Sequence, residues 1–196
     1  MKYNPKIHHR QSIRLRGYDY TQPGAYFVTI CTYKKQCWFG EVRNGTMYRN
    51  QIGNLVAHEW LKSPQIRDNV KLDAWVVMPN HLHGIVWLLE TKTRRGATLA
   101  PRPCATPHQG WGRSRNELGS FIAGFKSSVT RQINQLREHS ELPIWQRNYY
   151  ETIIRDDTAL HSIRNYIQQN PEQWLQDKEH PQRHTEFTKL SLDLVF

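Results

Sequence analysis

The chain has 196 residues, 38% of them hydrophobic and 22% charged, enough for one full domain with its own core. Lys and Arg number 27 against 17 acids, a net charge of +10, and seven Trp and nine Tyr accompany them. Cations and aromatic faces together suit a polyanion whose phosphates and unpaired bases they can meet. The three cysteines, Cys31, Cys37 and Cys104, are odd in number and form no C-x-x-C pair, which excludes a disulfide framework and a thiolate zinc site. No run approaches the roughly 18–20 apolar residues of a membrane helix. The first 17 residues carry Lys and Arg but no apolar run, so no signal peptide is read there and a reducing cytoplasm is expected.

Residues 1–24 read as a basic arm, with Lys2, Lys6, Arg10, Arg14 and Arg16 ahead of any strand pattern. Residues 25–33, rich in Tyr, Phe, Val and Ile, predict the first main strand. Asn44-Gly45 is a two-residue turn signal and predicts a hairpin over 37–48. Asn50 can cap a helix whose stripe is Ile52, Leu55, Val56 and Trp60. A second main strand is expected over 72–78, broken by Pro79-Asn80, and a third over 81–89. Apolar residues on both faces of the third argue that it is central.

Residues 91–117 hold six basic residues, three Pro, three Gly and one acid with no period, and read as an inserted flexible loop. Helical spacing returns with Leu118, Phe121, Ile122, Phe125, Val129, Ile133 and Leu136. Residues 145–155 predict the fourth main strand. Asp156 or Asp157 can cap a last helix with Leu160, Ile163, Tyr166 and Ile167 inward, stopped at Asn170-Pro171. The order strand, helix, strand, strand, helix, strand, helix is the split βαβ pattern. The expected fold is therefore α+β: a ferredoxin-like (RRM-like) antiparallel four-stranded sheet with helices and one extra helix. The domain is expected over 25–175, with a C-terminal tail over 176–196.

The chemistry-bearing residues are few. His81 and His83 flank one apolar residue on a strand, so both imidazoles share a face, roughly 6–7 Å apart along the strand. That spacing suits two ligands to one divalent metal. Tyr166 and Asn170, four residues apart on the last helix, also share a face. Each residue alone has a duller reading: a bonded strand-end histidine, a core tyrosine, a helix stop. Together they offer a nucleophile beside a third ligand, and suggest metal-assisted attack by tyrosine on a phosphodiester.

Four ordered motifs carry a family resemblance. They are Ala74-Trp75-Val76-Val77-Met78-Pro79-Asn80-His81-Leu82-His83-Gly84; Gly124-Phe125-Lys126-Ser127; Trp145-Gln146-Arg147-Asn148-Tyr149-Tyr150-Glu151 through Ile154-Arg155; and Tyr166-Ile167-Gln168-Gln169-Asn170-Pro171. With the opening from Ser12 to Tyr18 and Tyr26-Phe27-Val28-Thr29, the chain resembles the HUH single-tyrosine transposases of small insertion sequences, most closely the REP-associated tyrosine transposases. Thr152 departs from the pattern, standing where many members carry His.

The resemblance implies a strand-cleaving and rejoining enzyme that leaves a 5′-phosphotyrosine. Tyr166 would be the nucleophile, with Mg²⁺ or Mn²⁺ held by His81, His83 and the Asn170 side-chain oxygen. The implied partner is single-stranded DNA with palindromic hairpins, and homodimers are common in the wider family. Arg14, Arg16, Lys126, Arg131 and Arg147 are the candidate phosphate contacts. A protein so engaged would be cytoplasmic and nucleoid-associated when bound to DNA. The competing reading is a non-catalytic RRM-like module for single-stranded nucleic acid, but such a binder needs no His pair and no RNP-type aromatic motif is evident. A zinc-stabilised structural protein would need a fourth soft ligand that the spacing does not supply.

Overall fold

The computed structural model describes residues 18–20, 22–90, 117–136 and 143–181. Strand β1 (Gly24–Cys31) leads through a 3-10 turn at Tyr33–Lys35 to a hairpin of β2 (Gly40–Arg43) and β3 (Thr46–Arg49). Asn44 (φ 50°) and Gly45 (φ 73°) both lie at positive φ, the backbone that a two-residue hairpin turn matched to strand twist requires. Helix α1 (Gln51–Ile66) begins where the Asn50 side chain accepts the Gly53 amide. Then come β4 (Val70–Val77), β5 (His81–Leu88), helix α2 (Leu118–Leu136), β6 (Tyr150–Ile154) and helix α3 (Asp157–Gln169). Asp156 caps α3 by accepting the Ala159 amide at 2.7 Å.

The main sheet has the order β4-β5-β1-β6, antiparallel throughout, which is the ferredoxin-like arrangement. β5 is central, as its two apolar faces require. Val28, Ile30, Leu82 and Val86 face the larger core with Val56 and Trp60 of α1 and Phe121, Phe125 and Val129 of α2. The opposite face carries Ala25, Ile85 and Ile154 against Leu160 and Ile167 of α3. Gly84 is dictated by the larger core, since a Cβ there would lie 2.5 Å from the buried Trp60 ring.

Two expectations need correction. The fourth strand is shorter than 145–155: Trp145 makes only an isolated bridge to Thr32, and the carbonyls of Gln146 and Asn148 accept the Lys126 ammonium at 2.8 Å each. Residues 176–180, assigned to a tail, are packed into the domain, with Asp177, Glu179 and His180 all buried. Side-chain and backbone bonds described below account for that docking. The arm through residue 17, residues 91–116 and residues 182–196 lie outside the described residues, and with them Arg14, Arg16 and Cys104. Among the described residues no helix is long and apolar enough to cross a membrane.

Candidate active site

The β4–β5 turn is tight: the Met78 amide bonds the His81 carbonyl at 2.8 Å, so β5 starts at His81 itself. Register places Cys31 opposite His81 and Thr29 opposite His83. The two imidazoles project from the α3 face with ring centroids 4.3 Å apart, and both residues are at most 1% exposed.

Each ring is oriented from behind. His81 Nδ1 lies 2.8 Å from Asn80 Oδ1. The Asn80 amide nitrogen is already engaged, donating to the carbonyls of Lys35 and Glu179, so Oδ1 is the acceptor and His81 carries its proton on Nδ1. His81 Nε2 is therefore a lone pair. His83 Nδ1 meets the Thr29 hydroxyl at 2.8 Å, leaving Nε2 toward the site. Burial holds both imidazoles below the usual histidine pKa, and each also feels a neighbouring charge: His83 lowers His81 further, whereas Asp177 partly offsets the effect at His83. Both are neutral at pH 7, the form that ligates metal.

Helix α3 brings Tyr166 and Asn170 over this pair. The Tyr166 hydroxyl stands 3.2 Å from His83 Nε2, and its ring packs edge-on to Phe27 at 6.0 Å between centroids. Asn170 is 2% exposed. Its Nδ2 donates to Asp177 Oδ2 at 2.7 Å, and an anion accepts only from the nitrogen side of an amide, so Oδ1 is the atom that points away. His81 Nε2 and Asn170 Oδ1 are both buried without a hydrogen-bond partner. Two buried acceptors facing one site have no protein donor to share, an arrangement that a cation or a water donating to both would satisfy.

Asp177 is the residue that sequence reasoning missed. Its carboxylate accepts from Asn170 and, through Oδ1, from the Glu179 amide at 2.6 Å. Oδ2 also accepts from the Tyr166 hydroxyl at 3.4 Å and lies 4.0 Å from His83 Nε2. His81, His83 and Asp177 can offer ligand atoms within 4.8 Å of one another. Burial pushes the Asp177 carboxyl up, but the nearby His83 imidazole and the hydrogen bond from the Glu179 amide outweigh it and hold the group below its usual range. Tyr166 moves the other way, raised by burial first and then by the Asp177 charge. Asp177 is thus an anchor for Asn170 and an anionic ligand candidate.

Asn80 and Thr29 were also legible only as a strand breaker and a strand filler. The Trp174 ring lies tilted beside His81 at 5.9 Å between centroids, and Glu179 is held by Lys35 Nζ at 3.1 Å. Thr152 pairs with Phe27 on the edge strand, is exposed, and shares the histidine face. Of the candidate phosphate contacts, Lys126 is partly buried and its ammonium serves the two carbonyls named above; burial lowers its pKa to about 8. Arg131 is exposed and lines an open cleft of about 630 Å³ along α2 with Asn134 and Trp145, none of which belongs to the His–Tyr–Asn group. Arg147 is exposed.

No family model matches the chain. It is 43% identical over 179 residues to an uncharacterized protein of Haemophilus influenzae, covering 90% of this chain and 96% of that one. Among solved structures it is similar to a REP-associated tyrosine transposase bound to a REP hairpin, with TM-score 0.54 and 20% identity over 82% of this chain and 73% of the other. A candidate transposase from Deinococcus radiodurans aligns with TM-score 0.42 and 16% identity, over 79% of this chain and 95% of the other.

Proposed function

This chain belongs to the family of the Haemophilus influenzae protein and has the fold of a REP-associated tyrosine transposase, and on that premise we propose that it cleaves and rejoins single-stranded, hairpin-containing DNA through a covalent tyrosine intermediate. The observation that carries the reading is the pair of orphaned acceptors, His81 Nε2 and Asn170 Oδ1, beside the Tyr166 hydroxyl. A merely nucleic-acid-binding module has no use for two buried lone pairs with nothing to bind.

In this reading His81, His83 and Asn170 would hold Mg²⁺ or Mn²⁺, with the Asp177 carboxylate supplying the negative charge that two neutral imidazoles and an amide lack. A divalent ion so held would supply polarisation of a phosphate oxygen and charge stabilisation at the leaving oxygen. The protein's own part is placement. Asn80 fixes the His81 tautomer, Thr29 holds the His83 ring in place, Asp177 turns the Asn170 oxygen inward, and Phe27 with His83 confines the tyrosine ring. Tyr166 Oη then attacks phosphorus, forming the 5′-phosphotyrosine and releasing a 3′-hydroxyl. Substrate identity is supported by the hairpin bound to the solved relative and by the net charge of +10. Arg131 and Arg147, with Arg14 and Arg16 of the arm, are the phosphate contacts of this reading, and the arm (1–24) and loop (91–117) add affinity rather than chemistry.

The test is incubation of the protein with palindromic single-stranded DNA and Mn²⁺, followed by denaturing electrophoresis. A covalent protein–DNA band that EDTA abolishes is expected; binding of the hairpin with no band under any divalent metal would leave the RRM-like binder as the better reading.

A further inference from the structure

Asp73 and Arg164 stand outside the site just described, yet they join its two halves. Arg164 on α3 grips Asp73 on β4 side-on through one edge of its guanidinium, Nε to Oδ1 at 2.8 Å and Nη2 to Oδ2 at 2.6 Å. The same carboxylate accepts the Trp87 indole at 3.1 Å and the Ala74 amide at 2.7 Å. Trp87 lies on β5, the strand that carries both histidines. One partly buried carboxylate is therefore bonded to the metal-ligand strand and to the nucleophile helix at once.

The backbone is built to present it. Leu72 pairs with Val86 but Trp75 pairs with Gly84, so β4 carries one extra residue at a bulge. Leu72 and Trp75 pack on the larger core while Ala74 packs on the α3 side, and Asp73 reaches Arg164 there too. The bulge thus turns two successive residues toward α3, which a regular strand cannot do.

Apart from this pair, the directional bonds of α3 to other elements are, among the described residues, those of the site itself, from Tyr166 and Asn170. Its sheet-facing stripe, Leu160, Ile163 and Ile167, meets Ala25, Ile85 and Ile154, and apolar contact has no direction, so Asp73 is what fixes the helix roll from outside the site. At 3.6 residues per turn Tyr166 lies about 200° on from Arg164, so the two flank the stripe on opposite sides. A side-chain atom 5–6 Å from the helix axis moves about 2 Å for a roll of about 20°. A shift of that size would pull the Tyr166 hydroxyl and Asn170 Oδ1 off the histidines.

We propose that Asp73 and Arg164 form a positioning clamp that sets the roll of α3 and thereby holds Tyr166 and Asn170 in register with His81 and His83; the proposal rests on the roles given to Tyr166 and Asn170 above. A half-exposed ion pair contributes little to stability, so its effect is on placement. The bidentate fork is what confers it, and lysine does not substitute.

Two measurements on the full chain test it. In single-turnover adduct formation at saturating DNA, Arg164→Gln and Asp73→Asn each slow the step about 100-fold, the order of loss that follows from misplacing reacting groups by an ångström or more. DNA affinity stays within about threefold, and the double variant is no slower than the slower single, because both remove one unit. Arg164→Lys gives little recovery. In DNA-free protein, Mn²⁺ alone is titrated by electron paramagnetic resonance: affinity falls about tenfold in both clamp variants and is unchanged in Ile163→Val, a sheet-facing control on the same helix. Asp73→Asn, nearly isosteric, carries both comparisons if Arg164→Gln does not fold. Wild-type rates and wild-type Mn²⁺ affinity in the clamp variants overturn the clamp while leaving the proposed function standing. A wild-type protein that forms no adduct overturns the function, and the Mn²⁺ comparison then decides the clamp by itself.

Discussion

Asp177→Ala is the most informative single perturbation, because it removes a potential ligand that no motif announced. The substitution removes an acceptor from three donors in a side-chain environment only 1% exposed; the Tyr166 hydroxyl keeps His83 as a partner, but Asn170 Nδ2, which gave a 2.7 Å bond, and the Glu179 amide, which gave 2.6 Å, are left unpaired. Each buried donor left unpaired costs about 1–3 kcal/mol, and water entering the vacated volume recovers part of that, so a loss of about 2–4 kcal/mol is expected. For a chain of this length that is a fall in melting temperature of about 4–16 °C. Measured in EDTA by urea unfolding, the loss belongs to the polypeptide and not to a bound ion. A second consequence is separable: with Nδ2 released, the Asn170 amide can turn over, and Mn²⁺ affinity drops about 10- to 100-fold, as for other lost outer partners of ligands. An unchanged urea midpoint in EDTA would refute the account of Asp177 as the anchor of this site.

Tyr166→Phe should abolish the covalent adduct and keep hairpin binding, whereas Tyr149→Phe and Tyr150→Phe keep the adduct; the reverse pattern on a denaturing gel would reassign the nucleophile. His81→Ala or His83→Ala should end cleavage, because the remaining ligands bind Mg²⁺ poorly, and isothermal titration with Mn²⁺ should show the lost affinity directly. Gly84→Ala must displace the fully buried Trp60 ring and should cost about 1–3 kcal/mol in urea unfolding, with Trp fluorescence reporting the shift. The hydrogen bonds from Arg164 hold the Asp73 carboxyl below its ordinary range, so the stability this pair adds is present above the unfolded carboxylate pKa near ~4 and is lost as pH falls through the lower folded value. Because the pair is partly exposed, the effect is small: melting temperatures across pH 2–6 should fall only slightly less steeply in Asp73→Asn than in wild type.

Local chemistry in the sequence determined most of the architecture. The period-2 run over 81–89 makes His81 and His83 neighbours whatever surrounds them, and its apolar faces on both sides require a central strand. Asn50 and Asp156 cap the helices they precede, and Asn44-Gly45 turns a hairpin, because each of these acts within a few residues of itself. Tyr166 and Asn170 share a face by helical geometry alone.

Tertiary structure decided everything that depends on residues distant in the chain. The fourth strand shrank because Lys126, twenty and more residues upstream, takes the carbonyls of Gln146 and Asn148 out of the ladder. Asp177 and Glu179 carry no periodicity, and only the return of the chain past Trp174 brings one to Asn170 and the other to Lys35 and Asn80. Thr29 and Asn80 look like strand filler and breaker until register sets them behind the imidazoles. Asp73 and Arg164, 91 positions apart, meet only because a bulge re-aims one strand toward a helix on the far side of the sheet. Periodicity reports which way a side chain faces, and contact order reports what it meets there; the first is written locally and the second is settled by packing.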